Sequence, residues 1–267
     1  MSEKHSYSMR AVDGSAVNIE CHDALPSTAR LAREYARAGY PDRYVVLANA
    51  RQKLDAEGKS KSTLERGLFM SCILRPSIFP SQASLISALS AVATATALEE
   101  HASGSVGIGW VSKIYHDGVL IGDVTIEGKL DNFTTYEYII VTYSILMSEK
   151  NFPMRLNDVI KQVFENDNAP LSVVVAKNVL NKFFLHYANV KTGARFMNVY
   201  KEKLILKGQK MTCTLKDKKR RVRIVDVTTE DCSLIVADRK KNEFKVTRPQ
   251  DLILPRRIRI PKQKNSN

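Results

Sequence analysis

The sequence predicts a two-part α/β (α+β) protein: a mixed or antiparallel sheet packed with helices, then a small basic β-barrel. Three observations predict this. Helical apolar patterns alternate with β-branched runs as far as Tyr187. After Gly193 the rhythm changes to short alternating runs separated by charged turns. The charge changes with it: residues 1–200 hold 21 basic and 20 acidic side chains, whereas residues 201–267 hold 20 basic and 8 acidic ones. The expected organisation is a flexible N-terminus over 1–17, an α/β domain over 18–195, a barrel over 196–255 and a loose basic tail over 256–267.

The elements follow in order. STARLAREYARA (27–38) reads as a helix that Ser27 or Thr28 can cap; Gly39 can take the left-handed position that ends it, and Pro41 prevents continuation. YVVLANA (44–50) is a strand, RQKLDAEGKSKSTLER (51–66) a mobile polar loop, and GLFMSCILRP (67–76) a second strand. Residues 81–101 carry the longest helical signal: Leu85, Leu89, Val92 and Thr96 recur at helical spacing. Asp117-Gly118 between apolar runs marks a hairpin. YEYIIVTYSILM (136–147) reads as a central strand. Pro153 opens a helix over about 154–165, and 173–190 form another, burying Val174, Val175, Leu180, Phe183, Phe184 and Tyr187. The barrel strands are KMTCTL, RVRIVDV, SLIVA and EFKVT.

Composition excludes several classes. The chain has 267 residues, 44% apolar and 26% charged, enough for a solid core and unlike a disordered chain. Its 4 cysteines lack the close pairing of a disulfide scaffold or a zinc knuckle. No apolar run has the length of a membrane span, and MSEKHSYSMR does not read as a secretory signal, so the expected location is intracellular. There is no GxGxxG, phosphate-loop or HExxH motif, and the histidines are scattered. Asp117 and Asp123 flank the hairpin and read as turn residues more simply than as a catalytic pair.

Taken together, the segment order resembles the catalytic domain of biotin–protein and lipoate–protein ligases over roughly residues 18–255. The matching marks are Ser27-Thr28 before a helix ending ARAGYP, the strand VVLANARQ with Gln52, GLFMSCILRP, a long Ala-rich helix, GWVSKIYHDG, IGDVTIEG and NFP at 151–153. The resemblance implies a C-terminal barrel of the Src-homology-3 type. It implies biotin activation by ATP and Mg²⁺, then transfer to a carrier-domain lysine. It also implies a ligand pocket at Ser27, Thr28, Gln52, Trp110 and Lys113, although helix capping alone explains the first pair, and Trp110 can equally be core.

The motifs that carry the chemistry depart from the family. Its glycine- and arginine-rich loop is here KLDAEGKSKSTLERG, where lysines cannot reproduce a rigid guanidinium fork. Its Lys-Trp-Pro-Asn-Asp stretch is Gly109 to Lys113, which reverses the acidic charge. Its essential lysine before a glycine is absent from GVLIG (118–122), while Glu127 remains. Its glycine-rich strand carries Thr142, Ser144 and Leu146. These losses point to a noncatalytic protein without a cofactor. The alternatives are a divergent ligase using ATP, Mg²⁺ and biotin with a carrier domain, and a small-molecule-binding scaffold.

The basic module points to an anionic partner: nucleic acid, a ribonucleoprotein or an acidic protein. Lys216, Lys218, Lys219, Arg220, Arg221 and Arg223 crowd one turn and its outgoing strand; Arg239, Lys240 and Lys241 crowd another. Arg256, Arg257 and Arg259 line the end, and the exposed aromatics of a base-stacking platform are lacking.

Overall fold

The computed structural model describes residues 4–54, 60–100, 104–131, 134–147, 170–191, 194–215 and 217–259. The helix expected over 154–165 lies outside them, as does Lys216.

Eight strands make one mixed sheet in the order β1-β2-β3-β4-β8-β7-β6-β5. They are β1 (Lys4–Arg10), β2 (Ala16–Leu25), β3 (Tyr44–Leu54), β4 (Ser60–Leu74), β5 (Val106–Gly109), β6 (Lys113–His116), β7 (Val119–Leu130) and β8 (Tyr136–Leu146). β2 and β3 are parallel; the other neighbours are antiparallel. The near-continuous apolar run of β8 is explained by its place between β4 and β7, with both faces covered over much of its length. Asp117 (φ 47°) and Gly118 (φ 75°) supply the left-handed pair that joins β6 to β7.

Two expectations at the N-terminal end are corrected. The segment read as flexible contains β1, paired residue for residue with β2 from Lys4↔His22 to Arg10↔Ala16. The segment read as a mobile loop over 51–66 is largely strand: β3 and β4 stay paired out to Leu54↔Ser60. Its charged composition reflects an arm projecting from the sheet, where cross-strand ion pairs replace a core.

Helix α1 (Thr28–Arg37) covers one sheet face, where Ala32 and Ala36 pack with Val46, Ile73 and Ile140. Arg75 fastens its C-terminal end by donating to the carbonyls of Ala36, Tyr40 and Glu137. The opposite face carries α2 (Ala83–Glu99), α3 (Leu171–Tyr187) and α4 (Ala194–Lys203). Helix α2 is apolar nearly all round because it is buried, and Ser90 and Thr94 satisfy themselves by donating to the carbonyls four residues back. With the turn before it, Pro80–Glu99 is long and apolar enough to cross a membrane, and 72% of its apolar 18-residue window is buried inside the protein. Helix α4 overlaps the start of the segment read as the barrel, before its first expected strand KMTCTL. Phe196, Met197 and Tyr200 form its buried stripe at i, i+1, i+4.

The C-terminal module is not a barrel. β9 (Lys210–Leu215), β10 (Lys218–Val227), β11 (Leu234–Ala237) and β12 (Glu243–Val246) form an open antiparallel sheet in the order β12-β11-β10-β9, and β12 does not pair with β9. Closure is unnecessary because the sheet's apolar side is covered by the main domain: Met211, Cys213, Val222, Ile224, Leu234 and Val236 belong to the same continuous core as α2 and the large sheet. The start of the expected loose tail is also docked. Ile258 N donates to Gly118 O at 2.7 Å, Leu120 N donates to Arg256 O at 2.9 Å, and Val119 bridges Arg257.

A buried carboxylate ties α1 to the β1–β2 edge. Glu20, 5% exposed, is held by Tyr35 Oη at 2.7 Å, His22 Nε2 at 2.8 Å, Tyr44 Oη at 3.1 Å and Lys4 Nζ at 3.2 Å. Burial by itself would raise its pKa; the contacts with Tyr35, His22, Lys4 and Tyr44 outweigh that and hold it below the ordinary 4.5. Its stabilising contribution is complete above that unfolded value and is lost as pH falls through the folded one. Glu20→Gln is therefore expected to lower stability at pH 7 and to flatten the acid limb below pH 4.5, read by circular dichroism across a pH series.

Candidate functional site

At the N-terminal end of α1 a small cleft of about 90 Å³ opens between the helix and the sheet. Ser27, Thr28, Arg51, Phe69, Thr142 and Ser144 line it. Strand alternation places the floor on one face: Phe69 pairs with Ser144, Ser71 with Thr142, and Arg51 with Glu65.

The Ser27, Thr28, Arg51 and Thr142 side chains of this cleft have local partners. The Ser27 hydroxyl accepts from Arg30 N at 3.2 Å and caps the helix. Thr28 Oγ1 meets Ser71 Oγ at 2.9 Å, and Ser71 Oγ meets Thr142 Oγ1 at 2.9 Å, a chain of three hydroxyls under the helix start. Arg51 lies over the Phe69 ring at 4.8 Å and donates through Nε to Glu65 at 2.8 Å. Glu65 also takes Lys53 Nζ at 2.8 Å, and its pKa is lowered first by that contact and then by Arg51 against an opposing burial effect. Arg51 and Lys53 are therefore turned toward a carboxylate of the same arm.

The other expected pocket residues lie apart. Gln52 pairs with Leu64 on β4 and does not line the cleft. Trp110, 2% exposed, is packed in the core, and its Nε1 donates to Cys232 O at 2.6 Å, joining the large sheet to the small one. Lys113 is ion-paired with Asp123 one strand over. Asp123 in turn stands opposite Ser144, so the row Lys113–Asp123–Ser144–Phe69 crosses the sheet toward the cleft. Arg51, Phe69, Glu65 and Ser71 were not singled out in the sequence. Alternation on β4 finds Phe69 and Ser71; Arg51 and Glu65 lie beyond a bulge, in the stretch that reads as a loop.

The residues present fit a nucleotide and biotin poorly. Ligand pockets for molecules of that size span roughly 300–1,000 Å³, several times this cleft. Phe69 and the Thr142 and Ser144 hydroxyls occupy the floor. Among the described residues no group of three or more His, Cys, Asp or Glu could hold a metal ion, and Asp123 is already paired.

The basic surface is elsewhere. Lys218, Lys219, Arg220, Arg221 and Arg223 are exposed on β10; Arg239, Lys240 and Lys241 are exposed in the β11–β12 turn; Arg256, Arg257 and Arg259 are exposed along the docked end. Antiparallel pairing brings the two turns to one end of the small sheet. Along its outer face runs a second, larger groove of about 290 Å³, lined by Lys210, Arg221, Arg257 and Arg259 among others. Lys210 was not anticipated; the alternation of KMTCTL carries it to the same face as Arg223, its register partner.

No family model matches the chain, and no curated protein matches it. Solved structures do. The biotin protein ligase of Aquifex aeolicus, in complex with biotin and ATP, is similar over 88% of this chain and 97% of that chain, at 16% identity and a TM-score of 0.59. A biotin protein ligase-like protein of unknown function from Silicibacter sp. is similar over 89% of this chain and 97% of its own, at 14% identity and a TM-score of 0.59. The Helicobacter pylori biotin acetyl coenzyme A carboxylase synthetase, with bound biotinylated ATP, is similar over 85% and 98%, at 12% identity and a TM-score of 0.51. At such identities the likeness is one of fold. The matches, over 85–89% of this chain and 97–98% of those chains, make this chain a divergent structural relative of the biotin protein ligases.

Proposed function

We propose that this chain is a binding protein built on the biotin protein ligase fold, without adenylate-forming activity, whose C-terminal module engages nucleic acid or a ribonucleoprotein surface. One observation carries the reading: Lys218, Lys219, Arg220 and Arg221 crowd one exposed stretch of the small sheet, while Arg51 and Lys53 beside the cleft are paired with Glu65. Phosphates bind such surfaces without base readout. Labelled RNA and DNA oligonucleotides should bind with an affinity that falls steeply with salt, measured by fluorescence anisotropy. Replacing Lys218, Lys219, Arg220, Arg221 and Arg223 together by Gln should weaken that binding and flatten its salt dependence. Absent or salt-independent binding of the unaltered protein overturns the reading.

A second reading, a divergent ATP-dependent biotin or lipoate ligase, has specific support. Two of the similar structures hold biotin with ATP or a biotinylated nucleotide, and this chain matches them over nearly their full length. In addition, Asp123 offers a carboxylate on the cleft face beside Ser144, one strand from the position where Lys113 reverses the expected charge. Under this reading a biotin carrier domain is the partner.

A further inference from the structure

The cations of the small sheet fall into two groups that the sequence runs together. At the sheet's tip lie Lys218, Lys219 and Arg220 with the turn at 239–241. On its outer face, alternation points Arg221 and Arg223 away from the core while Val222 and Ile224 point inward. Arg221 faces Thr212 across β9.

The C-terminal segment closes one side of this face. Ile253 N donates to Thr212 O at 3.2 Å, Leu252 bridges Cys213, and Gln209 Nε2 donates to Arg259 O at 3.2 Å. The result is the groove of about 290 Å³, with Lys210, Arg221, Arg257 and Arg259 around Ile253 and Pro255. Ile253 is 54% exposed.

Four carboxylates of the module are committed elsewhere. Asp226 pairs with Lys207 at 3.1 Å, Asp231 with Lys245 at 2.9 Å and Asp251 with Arg248 at 2.8 Å. Asp238 is occupied by the backbone and side chain of its own turn. Among the described residues none of the four groove cations has an acidic partner. Like charges gathered in one groove repel each other and raise the local potential for an anion. By contrast Arg223 is turned aside, donating to Gly208 O at 2.9 Å.

We infer that this groove, rather than the basic tip, is the principal site for a single strand of nucleic acid, held through its phosphates by Lys210, Arg221, Arg257 and Arg259 with a base against Ile253 and Pro255. The inference rests on the nucleic-acid reading above. A wall on one side and an apolar floor suit a narrow, flexible strand whose phosphates and bases both reach inward. A duplex is a rigid convex rod with its bases stacked inside, so it meets only the rim.

The test compares two charge-matched variants of the full chain. The groove variant carries Arg221→Gln, Arg257→Gln and Arg259→Gln; the tip variant carries Lys218→Gln, Lys219→Gln and Arg220→Gln. The probe is a labelled single-stranded oligonucleotide, with its duplex as a competitor, over a salt series. The groove variant should lose at least about tenfold in affinity, and its salt slope should drop by about 2, since each single-strand phosphate contact contributes roughly 0.7. The tip variant should lose less than about threefold under the same electrostatic bookkeeping. Backbone pairing of 256–258 does not use these side chains; should the groove variant nevertheless fold poorly, Lys210→Gln with Arg221→Gln tests the same groove from the two strands alone. Equal losses in the two variants, a larger loss at the tip, or tighter binding of the duplex overturns the groove assignment and leaves the broader reading standing. No binding by the unaltered protein overturns both.

Discussion

Mixed with ATP, Mg²⁺ and biotin or lipoate, the protein is expected to form no adenylate. The chemistry brings a carboxylate up to a triphosphate and needs fixed positive charge and backbone donors aimed at the developing charge. Here Arg51 and Lys53 face Glu65, Lys113 faces Asp123, and the cleft at the helix start is about 90 Å³. Losing one such stabilising group costs on the order of 3–4 kcal/mol of the transition state, so two independent losses already remove roughly 10⁴-fold or more in rate. Isotope exchange between pyrophosphate and ATP reads this directly, with biotin and lipoate as separate arms. Exchange at the pace of an ordinary ligase, in either arm, would reject the noncatalytic reading in favour of the divergent enzyme.

Trp110→Ala is expected to be the most damaging single substitution described. The indole fills the junction between the two sheets, and its N–H is the partner of the Cys232 carbonyl at 2.6 Å. Truncating a buried aromatic to Ala costs about 3–5 kcal/mol, against a total stability of about 5–15 kcal/mol for a domain. Trp110→Phe separates the two contributions: it keeps most of the volume and loses the hydrogen bond, for an expected ~1–3 kcal/mol. Urea denaturation of the three proteins gives both numbers. A change below 1 kcal/mol for Trp110→Ala would mean that the junction is not packed as described.

The docking that makes Trp110 important also explains why the C-terminal module was misread. Four short alternating strands are a sound reading, and each of KMTCTL, RVRIVDV, SLIVA and EFKVT is found in place. Alternation reports that one side of a sheet is apolar; it cannot report what covers it. A barrel covers the side with itself. This chain covers it with the large sheet and α2, through Trp110–Cys232, the Ser84 hydroxyl on Asp231 O at 2.7 Å, and Tyr115 Oη on Pro255 O at 2.8 Å. The same limit hid α4, whose Phe196, Met197 and Tyr200 are too short a pattern to stand out until α2 is there to receive them.

The candidate site was legible in part. Ser27 and Thr28 stand out as a polar pair before a helix, and they do line the cleft. Of the three side chains on the strand matched to the family's glycine-rich one, Thr142 and Ser144 line the cleft and Leu146 does not. Gln52, Trp110 and Lys113 do not line the cleft: Gln52 alternates with Arg51 on β3, Trp110 is buried at the junction with the small sheet, and Lys113 is held by Asp123.

Local rules alone were enough for α1, α2, the Asp117-Gly118 turn, the central place of β8 and the concentration of positive charge after residue 200. Each depends on neighbours within a few positions: a capping hydroxyl, a helical repeat, a left-handed pair, a run without charge. Tertiary structure alone decided which cations are cancelled and which are left facing solvent. Glu65 reaches Arg51 and Lys53 only because the arm folds back on itself, and Arg221 shares a groove with Arg257 and Arg259 only because the chain's end returns to lie beside β9. Charge is a property of composition, but neutralisation is a property of distance, and distance is set by the fold.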